Sequence, residues 1–240
     1  MKKTISNKKS SRLEFKYILD PLTYIKVRDF VESIGLSHDK NAPINPYPVT
    51  SLYFDSWGLD DYYDKAGGFM KRKKVRIRVY TREFNEEVKE VNFEIKNKYD
   101  MFVSKDNFPV SQSSWQKIIE SNFEKLPKKF GYYIFEEGKI PSVIVRYQRE
   151  AFDSWFYDRV RITFDKDIEA IRPNRITDRN DLWYDAIPVS GSKVILEIKF
   201  SDRLPWWFKF MVYKYNLERR AYSKYASAID ALYKYDPLPR

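Results

Sequence analysis

The feature that most constrains the fold of this chain is a repeated alternation of charged and apolar residues. It is clearest in the segment KRKKVRIRVY, Lys71 to Tyr80, where apolar residues occupy every second position from Val75 and arginines lie between them. Strict alternation is typical of a β-strand, because successive side chains of a strand point to opposite faces. One face of this strand is therefore apolar, and the other carries guanidinium groups.

Further segments alternate in the same way and are predicted to be strands, with helices between and after them. The predicted strands are 12–19, 50–55, 75–80, 91–98, 143–152, 160–165 and 194–200, and the predicted helices are 21–34, 114–125 and a pair within 205–235. Loops are expected at 41–48 and 131–141. We expect a single domain over residues 12–235, between a disordered basic N-terminus (1–11) and a tail (236–240).

The polar faces of these predicted strands share one composition, mostly Lys and Arg with a few Glu. For any one strand, a solvated face explains the alternation. A set of such strands favours another interpretation, because like charges directly opposite one another destabilise a sheet. We therefore predict an α+β fold: an antiparallel β-barrel tunnel with a polar, cation-lined interior and with peripheral and C-terminal helices outside. A polyanion in the tunnel would relieve the repulsion between its cations.

Composition narrows the class of ligand and excludes several kinds of site. Lys and Arg number 44 against 34 Asp and Glu, and the formal net charge of +10 favours anionic partners. The absence of cysteine excludes disulfides, a thiol nucleophile and thiolate zinc sites. His38, the only histidine, is expected to be exposed, and no G-x-x-x-x-G-K-[ST] loop is present. Without an apolar run of about 18 residues or a signal peptide, we expect a soluble cytoplasmic protein with no transmembrane segment.

Short motifs follow one another along the chain. They are R-x-E-x-K-Y (12–17), S-L-Y-F-D (51–55), V-R-I-R-V-Y (75–80), F-E-I-K (93–96), R-Y-Q-R-E-A-F (146–152), R-V-R-I-T-F-D (159–165), L-E-I-K (196–199) and S-K-Y (223–225). Over about residues 12–235 this series resembles the VTC domain. That domain is the polyphosphate polymerase domain of the vacuolar transporter chaperone complex and of its stand-alone bacterial relatives, within the CYTH or triphosphate tunnel metalloenzyme superfamily.

The resemblance implies a metal-dependent phosphotransferase with ATP as phosphoryl donor, inorganic polyphosphate as the growing chain, and Mn²⁺ or Mg²⁺ as cofactor. Position by position, it implies catalytic cations at Lys16, Arg76, Arg78, Lys96, Lys105, Arg149, Arg161 and Lys199. It further implies phosphate-binding roles for Tyr147, Ser223 and Lys224, and a metal-binding role for Glu197. Glu14 and Glu94 are either further metal ligands or salt-bridge partners of Lys16 and Lys96.

Two positions depart from the pattern of the family. Ala221 stands where catalytic members often carry a basic residue, two positions before the serine of the terminal helix. Arg12 stands in place of the first glutamate of the E-x-E-x-K signature. Arg219 or Arg220, in the preceding turn, could supply the charge that Ala221 lacks.

Two functions besides the polymerase remain open at this stage. A hydrolase of tripolyphosphate or nucleoside triphosphates would use the same cations, with water as the attacking group. A non-catalytic polyanion or nucleic-acid binder could stack bases on aromatics interleaved with basic residues. Glutamates at 14, 94 and 197 repeat among the cations, which a backbone-binding groove would avoid, so no specific nucleic acid is expected. The sequence does not predict protein partners.

The aromatic stretch 205–217 has two interpretations. It could be a membrane-surface helix, since it mixes Trp, Phe and Lys. The favoured interpretation is that Trp206, Phe210 and Tyr213, which follow helical spacing, pack on the apolar outside of the barrel.

Overall fold

The computed structural model describes residues 13–39, 44–82, 84, 88–99, 102–120, 124–154, 160–173, 185–200 and 204–233. The predicted N-terminal segment 1–11, the tail 236–240 and Arg12 lie outside these described residues.

Ten strands and six helices are described. The strands are β1 (Leu13–Leu19), β2 (Ser37–His38), β3 (Tyr47–Asp55), β4 (Lys71–Val79), β5 (Glu90–Tyr99), β6 (Phe102–Ser111), β7 (Ile140–Asp153), β8 (Arg161–Ile171), β9 (Ile187–Pro188) and β10 (Val194–Phe200). The helices are α1 (Pro21–Ser33), α2 (Asp60–Ala66), α3 (Gln112–Glu120), α4 (Lys128–Phe135), α5 (Trp206–Lys214) and α6 (Lys224–Tyr233).

All of the described strands belong to one antiparallel 10-stranded sheet, in the order β1-β10-β8-β7-β3-β4-β5-β6, with β2 beside β7 and β9 beside β8. Among the described strands, β1 and β6 end this path and are not paired with each other. The sheet nevertheless curls round, because Lys96 Nζ on β5 lies 3.4 Å from Glu14 Oε2 on β1. The predicted α+β tunnel of antiparallel strands is confirmed, although hydrogen bonds do not close its barrel between these two edges.

The outer face of the sheet is apolar and is covered by helices. On one side, Val75 and Ile77 of β4 are fully buried in a cluster with Trp115 of α3 and Phe130 of α4. On the other side, a second cluster joins β1, β8 and β10 to α1 and α5. Burying each such side chain contributes roughly 1.5–3 kcal/mol, so these clusters hold the curled sheet together.

The inner face is polar along part of the tunnel and apolar along the rest. The apolar part is filled by α6, whose Ala228 and Ile229 pack with Val145 of β7 and Ala170 of β8. The N-terminus of α6 consequently meets the polar part. This placement brings Ser223, which directly precedes the helix, into the tunnel.

The structure corrects the predicted secondary structure at three places: β6, α2 and the end of α4. No strand is predicted at β6, because it is an edge strand with a proline, Pro109, and mixed polarity. No helix is predicted at α2 either, because its cap comes from another element: Asp55 of β3 accepts from the backbone N–H groups of Asp61 and Tyr62 at 3.0 and 3.1 Å. The predicted loop 131–141 contains the end of α4, which Phe130 anchors in the outer core.

The prediction for the face of α5 is wrong. Trp206, Phe210 and Tyr213 are exposed, by 71%, 52% and 90% respectively. The helix instead buries Phe208, whose ring centroid lies 5.7 Å from that of Phe15 on β1. Both faces of α5 are apolar, so periodicity could not identify the one that packs.

No helix within the described ranges combines the length and the apolar character needed to cross a membrane.

Candidate active site

Glu94 of β5 holds three predicted cations on the inner face of the sheet. Arg76 Nε lies 2.6 Å from Glu94 Oε2, and Arg78 Nη1 lies 3.9 Å from the same oxygen. Lys105 of β6 contacts Oε1 at 2.6 Å. Burial alone would raise the pKa of Glu94, but the three cations hold it well below its ordinary value. Glu94 is therefore an ionised counter-charge at the centre of this group.

A second group surrounds Asp165, a residue of the R-V-R-I-T-F-D motif to which the sequence assigned no role. Arg149 Nε and Nη2 donate to Asp165 Oδ1 and Oδ2 at 2.7 and 2.8 Å, and Lys224 Nζ donates to Oδ2 at 2.5 Å. Burial would raise the pKa of Asp165, but Arg149 and Lys224 lower it to about 2. The alternation of β8, which puts Asp165 on the face of Arg161, was the available signal for this residue.

The third group contains the predicted metal-binding glutamate. Lys16 Nζ lies 2.9 Å from Glu14 Oε1 and 3.4 Å from Glu197 Oε2. Lys199 Nζ lies 2.6 Å from Glu197 Oε1, and Lys96 completes the group through Glu14. Burial and the charge of Glu197 raise the pKa of Glu14, but the neighbouring lysines lower it to about 2. Both glutamates are therefore ionised and share one ammonium group.

Two buried hydroxyl groups on the inner face have no hydrogen-bond partner among the described residues: those of Tyr147 on β7 and Thr163 on β8. Their side chains are 1% and 2% exposed, respectively, so bulk water does not solvate them. The Tyr147 ring also lies beneath Arg149 and Lys224, at 5.2 and 4.7 Å from the ring centroid. Leaving a buried hydroxyl unpaired costs free energy, and this cost favours a ligand that brings hydrogen-bond acceptors into the cation groups.

A basic cavity of about 330 Å³ adjoins the polar part of the tunnel. Its lining includes Glu14, Lys16, Lys65, Arg72, Lys74, Lys96, Lys98 and Ser223. Ser223, predicted to bind phosphate, accepts a hydrogen bond from Lys74 Nζ at 2.6 Å. The cavity therefore carries an excess of positive charge and includes the position before α6.

Arg161 is the cross-strand partner of Lys199, and Arg219 and Arg220 line the basic cavity, but the charged groups of these three arginines are held by other residues. Arg161 Nη2 contacts Asp39 Oδ2 at 2.5 Å, and Nη1 lies 3.4 Å from Asp153 Oδ2. Arg219 extends over the ring of Phe15, 4.0 Å from its centroid, on the outer side of β1. Arg220 pairs with Glu218 at 2.7 Å, and both side chains are exposed. Arg161 nevertheless shares the inner face of β8 with Thr163 and Asp165, so the predicted site residues lie along one inner surface.

The described residues hold no group of three or more His, Cys, Asp or Glu side chains that could bind a metal ion unaided. Glu197 and Glu14 nevertheless lie within reach of one cation, since both contact Lys16. The unpaired hydroxyl of Thr163 is on the residue that pairs with Glu197 across the sheet. Mg²⁺ and Mn²⁺ accept such oxygen ligands and complete their shells with phosphate oxygens and water. These residues therefore fit a divalent ion that binds together with a phosphate ligand.

Comparisons with known proteins agree on the fold. A family model described as the VTC domain matches residues 11–233. A search of curated proteins found no match. Among solved structures, a candidate adenylate cyclase from Bacillus halodurans has a TM-score of 0.53 at 10% identity, covering 89% of this chain and 94% of that one. A candidate adenylyl cyclase from Hippeastrum, described as having a dominant triphosphatase activity, has a TM-score of 0.53 at 12% identity, covering 91% and 95%. Similarity at these identities shows the fold alone.

Proposed function

The chain belongs to the VTC domain family, and we propose that it is a metal-dependent polyphosphate polymerase that transfers the γ-phosphoryl group of ATP to a growing polyphosphate chain in the tunnel. The observation that carries this proposal is the inner surface itself. There, cations from several strands are held by buried carboxylates beside the unpaired hydroxyl of Tyr147. Such a surface suits a ligand with many anionic oxygens along its length.

The carboxylates orient the cations but do not occupy all of their N–H hydrogen-bond donors. Arg149 uses Nε and Nη2 for Asp165, and its remaining N–H groups are available to phosphate oxygens. Arg76 is fixed in the same manner by Glu94 and by the hydroxyl of Tyr53, which accepts from Nη1 at 3.0 Å. Phosphoryl transfer spreads charge over the equatorial oxygens in the transition state, so cations fixed in advance stabilise it. No covalent nucleophile is needed.

Glu197, with Glu14 beside it, is proposed to hold Mn²⁺ or Mg²⁺. Such an ion, when bound, supplies charge neutralisation at the phosphate oxygens and the leaving group. Lys16 and Lys199 hold Glu197 in its ionised form. Glu94 is enclosed by three cations, which favours a role as their counter-charge over a role as a metal ligand.

The test is incubation of the purified protein with ATP, Mn²⁺ and a short polyphosphate primer, followed by gel analysis of the products. We expect long polyphosphate chains and ADP. Arg76→Ala should abolish both, because Arg76 is an inner-face cation. Lys129→Ala should not, because Lys129 is an exposed cation of α4 that pairs with Asp106. ATP consumption with neither chains nor orthophosphate would contradict a phosphate-transferring tunnel.

A hydrolase is the second candidate, and the triphosphatase activity in the description of the Hippeastrum protein favours it. The same cations would position a triphosphate for attack by water. In the assay above, this function would yield orthophosphate without long chains. Equal competition of RNA and tripolyphosphate for binding would instead favour a nucleic-acid binder.

A further inference from the structure

Lys74 of β4 is an inner-face cation that lies outside the motifs and is not among the predicted site residues. We propose that Lys74 is a phosphate-binding residue of the tunnel and supplies the positive charge that is missing at Ala221. The proposal rests on the proposed function of the tunnel as a phosphate-chain site.

The first argument is position. Lys74 lies two residues before Arg76 on β4, so the pleat of the strand puts both side chains on the same face. Its ammonium group donates to Ser223 Oγ at 2.6 Å, and Ser223 is 6% exposed. Lys74 therefore joins a sheet residue to the start of α6, at the point where the tunnel meets the basic cavity.

The second argument is charge. Lys16, Lys105 and Lys199 each contact a glutamate within 2.9 Å. Lys74 contacts no carboxylate within the part of the chain that the structure describes; its side-chain hydrogen bond goes to a neutral hydroxyl. An uncompensated cation in a tunnel of cations is the one whose free energy an incoming anion lowers most.

Glu14 lines the same cavity as Lys74, but its carboxylate pairs with Lys16 and Lys96. The charged groups that act most strongly on Lys74 are all positive. They are Lys16 of β1, Lys65 of α2, Arg76 of β4 and Lys96 of β5, with the neutral Ser223 before α6. Burial, followed by these neighbouring cations, holds the pKa of Lys74 well below its ordinary value. A phosphate chain would reverse the balance of charge around the ammonium group.

The third argument concerns Ala221, which lines the same cavity as Lys74. Arg219 and Arg220 line this cavity too, but their guanidinium groups are held away from Ser223: that of Arg219 lies over the ring of Phe15, and that of Arg220 pairs with Glu218. The ammonium group of Lys74 is the cation that contacts Ser223. Lys74 of β4 thus provides the positive charge near Ser223 that a basic residue at position 221 could have provided.

The test measures binding without turnover. Tripolyphosphate is titrated by calorimetry, in EDTA and without ATP, into the wild type, Lys74→Met and the surface control Lys129→Met. We expect Lys74→Met to lower the affinity by about 10-fold or more, since a hydrogen bond to a charged group is lost, and Lys129→Met to leave it unchanged. Lys74→Met keeps the length of the side chain and removes an uncompensated charge, so its melting temperature should not fall.

A rescue variant separates binding from a general structural effect. Adding Ala221→Lys to Lys74→Met should recover most of the lost affinity. Wild-type affinity in Lys74→Met, or no recovery in the double variant, would overturn the proposal. If tripolyphosphate binding depends on Lys74 while the wild type makes no polyphosphate from ATP, the polymerase function fails and this inference stands. If the wild type does not bind tripolyphosphate, both fail.

Discussion

Asp165 accepts two hydrogen bonds from Arg149, from Nε to Oδ1 at 2.7 Å and from Nη2 to Oδ2 at 2.8 Å. The two residues are direct partners across β7 and β8, and the aspartate is fully buried. The same carboxylate accepts from Lys224 of α6. One aspartate therefore fixes two proposed phosphate-binding cations, one from the sheet and one from the terminal helix.

We predict that Asp165→Asn lowers the free energy of unfolding by about 3–5 kcal/mol at neutral pH, because breaking a buried ion pair leaves its partners uncompensated. Tripolyphosphate should recover part of this loss, so it should raise the melting temperature of the variant more than that of the wild type. Urea unfolding and thermal melts with and without tripolyphosphate measure both effects. The matched control is Asp106→Asn, which breaks a surface pair with Lys129 and should cost about 0–1 kcal/mol. Equal losses in the two variants would contradict the prediction.

The pH dependence of stability provides a second prediction. In the folded protein the pKa of Asp165 is lowered from 3.8 to about 2. A lowered carboxyl pKa gives stability that is fully present above the unfolded value and is lost as the pH falls through the folded value. The contribution is about 2 kcal/mol, lost between about pH 4 and pH 2. The difference in unfolding free energy between the wild type and Asp165→Asn should therefore narrow over this range, and a constant difference would refute the assignment.

The alternation of the sequence predicted which residues of β4 face inward, because Arg76, Arg78, Val75 and Ile77 follow the pleat of one strand. The same rule could not single out Lys74. Residues Lys71 to Lys74 are all basic, so no apolar position shows where the strand begins or which lysine faces the tunnel. Only the pairing of β4 with β5, which extends to Lys71, supplies that information.

The sequence also could not predict how segments that are distant in the chain pair with one another. The contact of Arg149 with Asp165 depends on the register of β7 and β8, which a β-bulge between Arg146 and Gln148 shifts. The face of α5 depends on the sheet beneath it, because both sides of that helix are apolar. Local patterns thus identified the residue types of the site, and tertiary pairing determined their partners.

The predicted metal role of Glu197 gives a third prediction. Glu197→Gln should lower the turnover of ATP in Mn²⁺ by at least about 100-fold, since the charge that holds the ion is lost. It should not weaken tripolyphosphate binding in EDTA, because Lys16 and Lys199 are released from the carboxylate. Steady-state ADP release and calorimetry separate these effects. Retained turnover in Glu197→Gln would exclude a metal-binding role for Glu197. An unchanged melting temperature would show that the variant is folded.

The last prediction concerns Tyr225 of α6, whose hydroxyl donates to Asp55 at the end of β3. Asp55 also caps α2 and lies 3.7 Å from the buried ammonium group of Lys139. The ring of Tyr225 lies 5.3 Å from that of Tyr53, the residue that accepts from Arg76. Tyr225 thus ties the start of α6 to the strand that orients a proposed phosphate-binding arginine.

We expect Tyr225→Phe to lower the free energy of unfolding by about 1–3 kcal/mol, because it leaves a buried carboxylate with one donor fewer. It should also weaken tripolyphosphate binding, since α6 then positions Ser223 and Lys224 less firmly in the tunnel. The control is Tyr213→Phe on α5, which removes a hydroxyl from a side chain that is 90% exposed and should change neither quantity. Urea unfolding and calorimetry test both variants. Lost stability with unchanged tripolyphosphate affinity in Tyr225→Phe would mean that the contact supports the fold without positioning the site.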